Sequence, residues 1–242
     1  MSTKPASLVF WMLLHIHTDP TLLTQIRAEI APFVLITQPP QVLSIPSPPR
    51  LSIKLSGLET SCPLLKSCLY ECLRLYTTPN PTRFVDKDTI IHDHEGKVQS
   101  HQDYLLEKGS YITAPLTLLH HNPAYVWQPN EFQPRRFLKA NENDTLAEHD
   151  THHNKEHTTQ PPQTFHHPST LHPFGIGPST CPARAYAETE ILAFTAAIIS
   201  LWEFSPASPK GWMIPERTER EIVSVPKRDL RVKVQARKLS FS

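Results

Sequence analysis

Twenty-five prolines are spread through a chain of 242 residues that holds only 6 glycines, where average usage gives roughly 12 and roughly 17. Each proline locks φ and removes a backbone donor, so no helix or central strand continues through the densest stretches. The scarcity of glycine excludes a collagen-like chain or a flexible linker. The chain must therefore fold as separate helices joined by rigid, irregular connections.

Where proline thins out, periodicity takes over. Residues 5–17 read as a buried helix closed at Asp19-Pro20, an N-cap and N1 proline that open a second helix. That helix carries Leu22, Leu23, Ile26 and Ile30 on one face and ends near Pro32. Residues 37–63 hold Pro39, Pro40, Pro46, Pro48, Pro49 and Pro63 and read as a meandering connection. A third helix starts after Ser61, with Leu64, Leu65, Cys68, Leu69, Cys72, Leu75 and Tyr76 in one arc. Cys68 and Cys72 belong to the core on this reading.

Between Arg83 and Leu119, β-rich runs at 84–85, 89–91 and 111–113 are broken by the turn signals Glu95-Gly96 and Lys108-Gly109, which predicts a small antiparallel sheet. Residues 139–172 are polar and rich in histidine without the fixed spacing of a zinc site, so they read as an exposed insertion. Residues 185–202 predict a central apolar helix, and 222–225 and 230–236 return to strand character. The fold class is mainly α with small antiparallel β-sheets.

Charge narrows the function classes. Lys and Arg number 24 against 23 Asp and Glu, so no net field argues for nucleic acid or an anionic membrane. The four cysteines include no Cys-x-x-Cys pair and do not make a disulfide scaffold, which points to a reducing compartment. Lys4 and the apolar run 8–14 imitate a signal-peptide core, but no small-residue cleavage site follows and the run is far short of the ~18 residues of a membrane span. Neither a signal peptide nor an anchor is expected.

Three separated pieces carry chemistry. The first is Glu71-Cys72-Leu73-Arg74, whose two charges share one flank of the third helix. The second is the run from Asn130 to Phe137, in which an arginine flanked by aromatics can leave the surface if a carboxylate receives it, Glu71 being the obvious candidate. The third runs from Pro173 to Arg184 and is the strongest. A glycine-containing loop delivers Cys181 to the start of a helix whose first position is Pro182, where unpaired N–H groups and the helix dipole favour a thiolate. A thiolate there can ligate a metal or act as a nucleophile, or the residue can be a buried cap.

Together the three pieces resemble the cytochrome P-450 family, the haem-thiolate monooxygenases, over residues 5–242: the helix Glu-x-x-Arg, the Phe-x-Pro-x-Arg-Phe segment and the Phe-x-x-Gly-x-x-x-Cys loop stand in the family's order. The similarity is to the carboxy-terminal half. It is nearest in flavour to the sterol 7α-hydroxylase and prostacyclin synthase branch with its fungal relatives, through Pro5, Ala6, Phe10, Trp11, Arg83 and the Cys-Pro-x-Arg sequence at Cys181.

The resemblance implies a single partial P-450 domain over 1–242 with haem b as cofactor. Cys181 matches the axial iron ligand. Glu71, Arg74 and Arg136 match the structural triad, Arg83 a position that meets a haem propionate, and Phe174 and Gly177 loop positions beside the sulfur and the porphyrin. Ala183 stands where the family usually has glycine, and Ser179 where many members carry a base. The implied activity is O2-dependent hydroxylation of a small lipophilic, sterol- or fatty-acid-like substrate, fed by an NADPH-cytochrome P-450 reductase-type donor. The family usually sits at the endoplasmic reticulum membrane. The alternative is a truncated, catalytically incompetent fragment with weak or no haem binding.

Overall fold

The structure, a computed structural model, describes residues 3–38, 50–92, 103–138, 171–218 and 222–237. Helix α1 (Thr3–Thr18) is apolar around most of its circumference, and Trp11, Met12 and Ile16 have no exposed surface. It ends at Asp19, whose carboxylate accepts from the Thr21 and Leu22 amides at 2.9 and 3.0 Å and so starts α2 (Pro20–Ile30). Leu22, Ile26 and Ile30 then form the buried stripe of α2.

Residues 37–63 are not the plain connection expected from their prolines. The prolines cluster at 39–49, outside the described residues, and at 63. The proline-free stretch between them forms β2 (Arg50–Ile53), antiparallel to β1 (Val34–Thr37), and then α3 (Leu55–Ser61).

Helix α4 (Pro63–Tyr76) follows at once. Cys62 gives it no side-chain cap. Instead Glu29 of α2 accepts from the Leu64 and Leu65 amides at 2.8 and 2.9 Å, which satisfies two of the four orphan donors and places a negative charge at the positive end of the helix. Burial lifts the Glu29 carboxyl above its ordinary value, and those two amides pull it back.

The β-rich middle forms two ladders rather than one sheet: β3 (Thr82–Phe84) pairs with β6 (Tyr111–Thr113), and β4 (Thr89–His92) with β5 (Asp103–Leu106), all antiparallel. A short α5 (Leu116–His120) leads into an irregular stretch that reaches Leu138. Of the predicted insertion, residues 139–170 lie outside the described residues.

Helix α6 (Arg184–Leu201) starts later than the cysteine loop led us to expect, and only its second half is central. Arg184 to Tyr186 are exposed, whereas Ile191, Leu192, Thr195, Ala196 and Ile199 are buried against α1, α3 and α4. The chain then runs into β7 (Trp202–Pro206), which pairs with β10 (Val232–Ala236). The strand expected at 222–225 is reduced to a bridge between Val223 and Thr77 and to the first residue of β9 (Val225–Pro226), which pairs with β8 (Arg217–Thr218). Among the described residues no helix is long and apolar enough to cross a membrane.

Candidate functional site

One turn of α4 places Glu71 and Arg74 side by side, both fully buried. Arg74 donates through Nε and Nη2 to the two Glu71 oxygens at 2.8 and 2.9 Å. Arg136 reaches the same carboxylate with Nε, 3.1 and 3.0 Å from its two oxygens, and the Gln133 amide adds a bond of 2.9 Å.

Two guanidinium groups on one carboxylate leave an excess positive charge, which the backbone absorbs. Arg74 also donates to the carbonyls of His120, Pro129 and Glu131, and Arg136 to those of Trp127 and Gln128. Burial holds the Arg136 guanidinium below its ordinary range, against the pull of Glu71. The result is a clamp that fixes the stretch 120–137 onto α4, with its donors and acceptors matched as a buried charge cluster requires. His120, held down to about 4 by burial, extends the clamp through Nε2 to the Leu171 carbonyl at 2.6 Å. Leu171 begins the cysteine loop.

Within that loop Gly175 and Gly177 take φ of +87° and +61°. The second opens a single 3-10 turn, Gly177–Ser179, closed by Thr180, which donates through both its amide and its hydroxyl to the Gly177 carbonyl. The Cys181 amide then donates to the Phe174 carbonyl at 2.8 Å, so residues 174–181 form a closed loop that ends on the thiol.

Helix α6 begins at Arg184 rather than Pro182. The Arg184 amide bonds the Cys181 carbonyl at 3.2 Å, and the turn so formed stands between cysteine and helix. Ala183 has φ −88° and ψ 11°, backbone that an alanine adopts without strain. Cys181 is exposed, in contrast to Cys62, Cys68 and Cys72, which are buried.

The thiol faces a cavity of about 910 Å³. Pro5 and Leu8 of α1 form one wall, residues 77–83 after α4 a second, and the loop with Tyr186, Glu190 and Ile191 of α6 a third. Arg83 lies on the rim and donates to the Ile176 carbonyl at 2.7 Å, which ties β3 to the loop. Phe174 is half-buried in the wall, with the Arg184 guanidinium 5.6 Å above its ring. Cys181, Arg83 and Phe174 thus share one cavity, Gly177 shapes the loop that lines it, and the Glu71 cluster stands behind it on α4.

Sequence reasoning missed Lys4, Asn80, Tyr186 and Glu190 in this lining. For the α6 residues a signal existed: Ala183, Tyr186, Ala187, Glu190 and Ile191 recur at helical spacing from the cysteine loop. For Lys4 and Asn80 only the folded chain brings them near.

The architecture is that of part of the cytochrome P-450 fold. A solved cytochrome P-450 structure superposes with a TM-score of 0.65 at 20% identity, covering 98% of this chain and 43% of its own. A zebrafish cytochrome P-450 superposes with 0.63 at 22% identity, covering 98% and 45%. The sequence model of the Cytochrome P-450 family matches residues 5–234, and the chain belongs to that family.

Among curated relatives, a cytochrome P-450 monooxygenase of Hypoxylon pulicicidum is 26% identical over 225 residues, 92% of this chain and 38% of the relative. The 7-alpha-hydroxycholest-4-en-3-one 12-alpha-hydroxylase of Oryctolagus cuniculus is 27% identical over 224 residues, 87% of this chain and 39% of the relative. The chain spans about two-fifths of the length of these relatives.

Proposed function

We propose that this chain forms the proximal, thiolate-bearing part of a haem monooxygenase that hydroxylates a lipophilic, sterol- or fatty-acid-like substrate with electrons from an NADPH-cytochrome P-450 reductase-type donor. One observation carries the reading: a single exposed thiol and a guanidinium share an otherwise largely apolar cavity of about 910 Å³, within the size range of cofactor sites.

The residues fit a haem. Cys181 offers one soft donor, which suits a metal that arrives with an equatorial ligand set of its own. Arg83 offers a fork suited to a carboxylate. Leu8, Leu73, Ile191 and Val223 supply apolar surface for a flat ring. When bound, the haem iron supplies the activation of O2.

The protein residues do the rest. Cys181 holds its position because the Phe174–Cys181 bond closes the loop. Arg83 keeps that loop against β3 while presenting charge to the rim. The Glu71 cluster holds the 120–137 stretch, and through His120 the start of the loop, in one arrangement. The sterol-like substrate class is supported by the rabbit hydroxylase among the relatives.

The test is the absorption spectrum of the purified, haem-reconstituted, reduced and CO-treated protein. A thiolate-type Soret band that is lost in Cys181→Ala is the expected result. Failure of the protein to take up haem overturns the reading.

A further inference from the structure

Behind the cavity wall lies a buried aromatic stack that the proposed haem site does not use. Trp11 of α1 and Tyr76 at the end of α4 are stacked with ring centroids 4.0 Å apart and planes 4° from parallel. The Tyr76 hydroxyl is 2.6 Å from His15 Nε2, and the His15 ring in turn stacks on Phe132 at 4.1 Å.

Every anchor of this stack is one step from the cavity lining. Leu8 lines the cavity, and Trp11 lies one turn further along that face of α1. The Trp11 indole donates to the Ser224 carbonyl at 2.8 Å, next to the lining residue Val223, and Tyr76 precedes the lining residue Thr77. On the far side His15 and Tyr76 border a second cavity of about 400 Å³ that Asp19 and Glu131 also line. The stack therefore runs from residues that adjoin the main cavity's lining to the wall of the second cavity.

We infer that Trp11, Tyr76 and His15 form a proton-coupled electron relay that returns an electron to an over-oxidised group in the main cavity. Tyr76 gives up one electron, passed across the Trp11 ring, and its phenolic proton moves to His15 Nε2. The products are a neutral phenoxyl radical on Tyr76, an imidazolium at His15 and an oxidant reduced by one electron. The oxidant is a peroxide-oxidised haem, so in the cell the relay rests on the function proposed above. Its consequence is that spare oxidising equivalents leave the cavity instead of attacking Cys181.

Three features suit the stack to this task. Burial holds His15 at about 4, so the imidazole is neutral near pH 7 and has a lone pair to accept the proton. The separation of 2.6 Å lies within proton-transfer reach. The Arg217 guanidinium, 5.9 Å from the Tyr76 ring, disfavours a radical cation and so favours release of the proton.

The test places an oxidant in the cavity without haem. Cys181, the one exposed cysteine of the four, is labelled with a ruthenium polypyridyl complex and the complex is photo-oxidised by flash and quench. Tyr186 also lines the cavity and is exposed, so every sample carries Tyr186→Phe. The expected result is a transient tyrosyl radical that is abolished by Tyr76→Phe and slowed about 10²-fold by His15→Gln, the loss typical of a removed general base. Trp11→Phe slows it as well. A radical that survives Tyr76→Phe, or no radical beyond the Tyr186→Phe background, overturns the relay. A haem-reconstituted sample treated with hydrogen peroxide and read by electron paramagnetic resonance separates the two proposals. Failure to load haem there refutes the monooxygenase reading and leaves the ruthenium result standing.

Discussion

Glu71 and Arg74 are joined by two near-parallel hydrogen bonds of 2.8 and 2.9 Å, with neither side chain exposed to solvent. A pair this deep is retained only if every remaining donor finds a partner, and here Arg136, Gln133 and the backbone carbonyls complete the set. Removing the carboxylate leaves two guanidinium groups buried without their anion. Glu71→Ala is expected to destabilise the fold by about 3–5 kcal/mol, read as a fall in the midpoint of denaturant unfolding. Arg136→Lys is expected to cost less than Glu71→Ala but not to be neutral, since an ammonium cannot bond Glu71, Trp127 and Gln128 in one plane.

The same cluster predicts a dependence on pH through its histidine neighbours. His15 and His120 are each held at about 4 by burial, against an ordinary 6.5. Between those values the unfolded chain binds protons that the folded chain does not, so stability is full above about pH 6.5 and falls as the pH drops toward 4. At the acid limit the loss is on the order of 3 kcal/mol per histidine. Urea titrations at pH 7, 5.5 and 4.5 check this. His120→Asn should flatten the profile, and an unchanged slope in that variant would assign the dependence to other groups.

Much of this arrangement was legible in the sequence, and the missing parts share a cause. Asp19-Pro20 marked a helix start because capping is a local interaction between a side chain and the next two amides. The apolar arc of α4 was legible because it repeats at helical spacing, although the helix is buried on every side from Glu71 to Tyr76. By contrast, α4 is capped by Glu29, more than thirty residues earlier, and no local pattern announces a cap supplied by another helix. Strands β1 and β2 were hidden behind the prolines between them, although those prolines spare both strands. At the site, Cys181, Arg83 and Phe174 stood out through their motif, whereas Lys4 and Asn80 reach the cavity only through tertiary packing.

Thiol chemistry gives an independent check on the loop. Cys62, Cys68 and Cys72 are buried, and burial pushes Cys62 up to about 11 and the other two higher, so none forms thiolate readily near neutral pH. A chromogenic aromatic disulfide should therefore titrate one fast thiol in the native protein and four after denaturation. Cys181→Ala should abolish the fast phase. A second fast thiol in the native chain would show that α4 or its junction with α3 at Cys62 opens readily, against the packing described above.

Two glycines separate steric from conformational demands. Gly57, buried in α3, faces Phe33, and a Cβ there would lie 2.6 and 2.7 Å from its Cε1 and Cγ atoms, so the ring must move. Gly177 has nothing within 4 Å of a Cβ but holds φ at +61°. Gly57→Ala is thus an overpacking change costing about 1–3 kcal/mol, and Phe33→Ala in the same chain should recover part of that loss because the two residues share one space. Gly177→Ala costs about 1–2 kcal/mol through backbone alone, and no second-site cavity relieves it. The measurements divide in the same way. Both variants lower the unfolding midpoint, but only Gly177→Ala should alter the rate at which Cys181 reacts, because only that glycine lies in the loop that carries the thiol. If Gly57→Ala changed that rate as much, the loop would be coupled to α3 through the core, and its geometry would not be set by the bonds between residues 172 and 184.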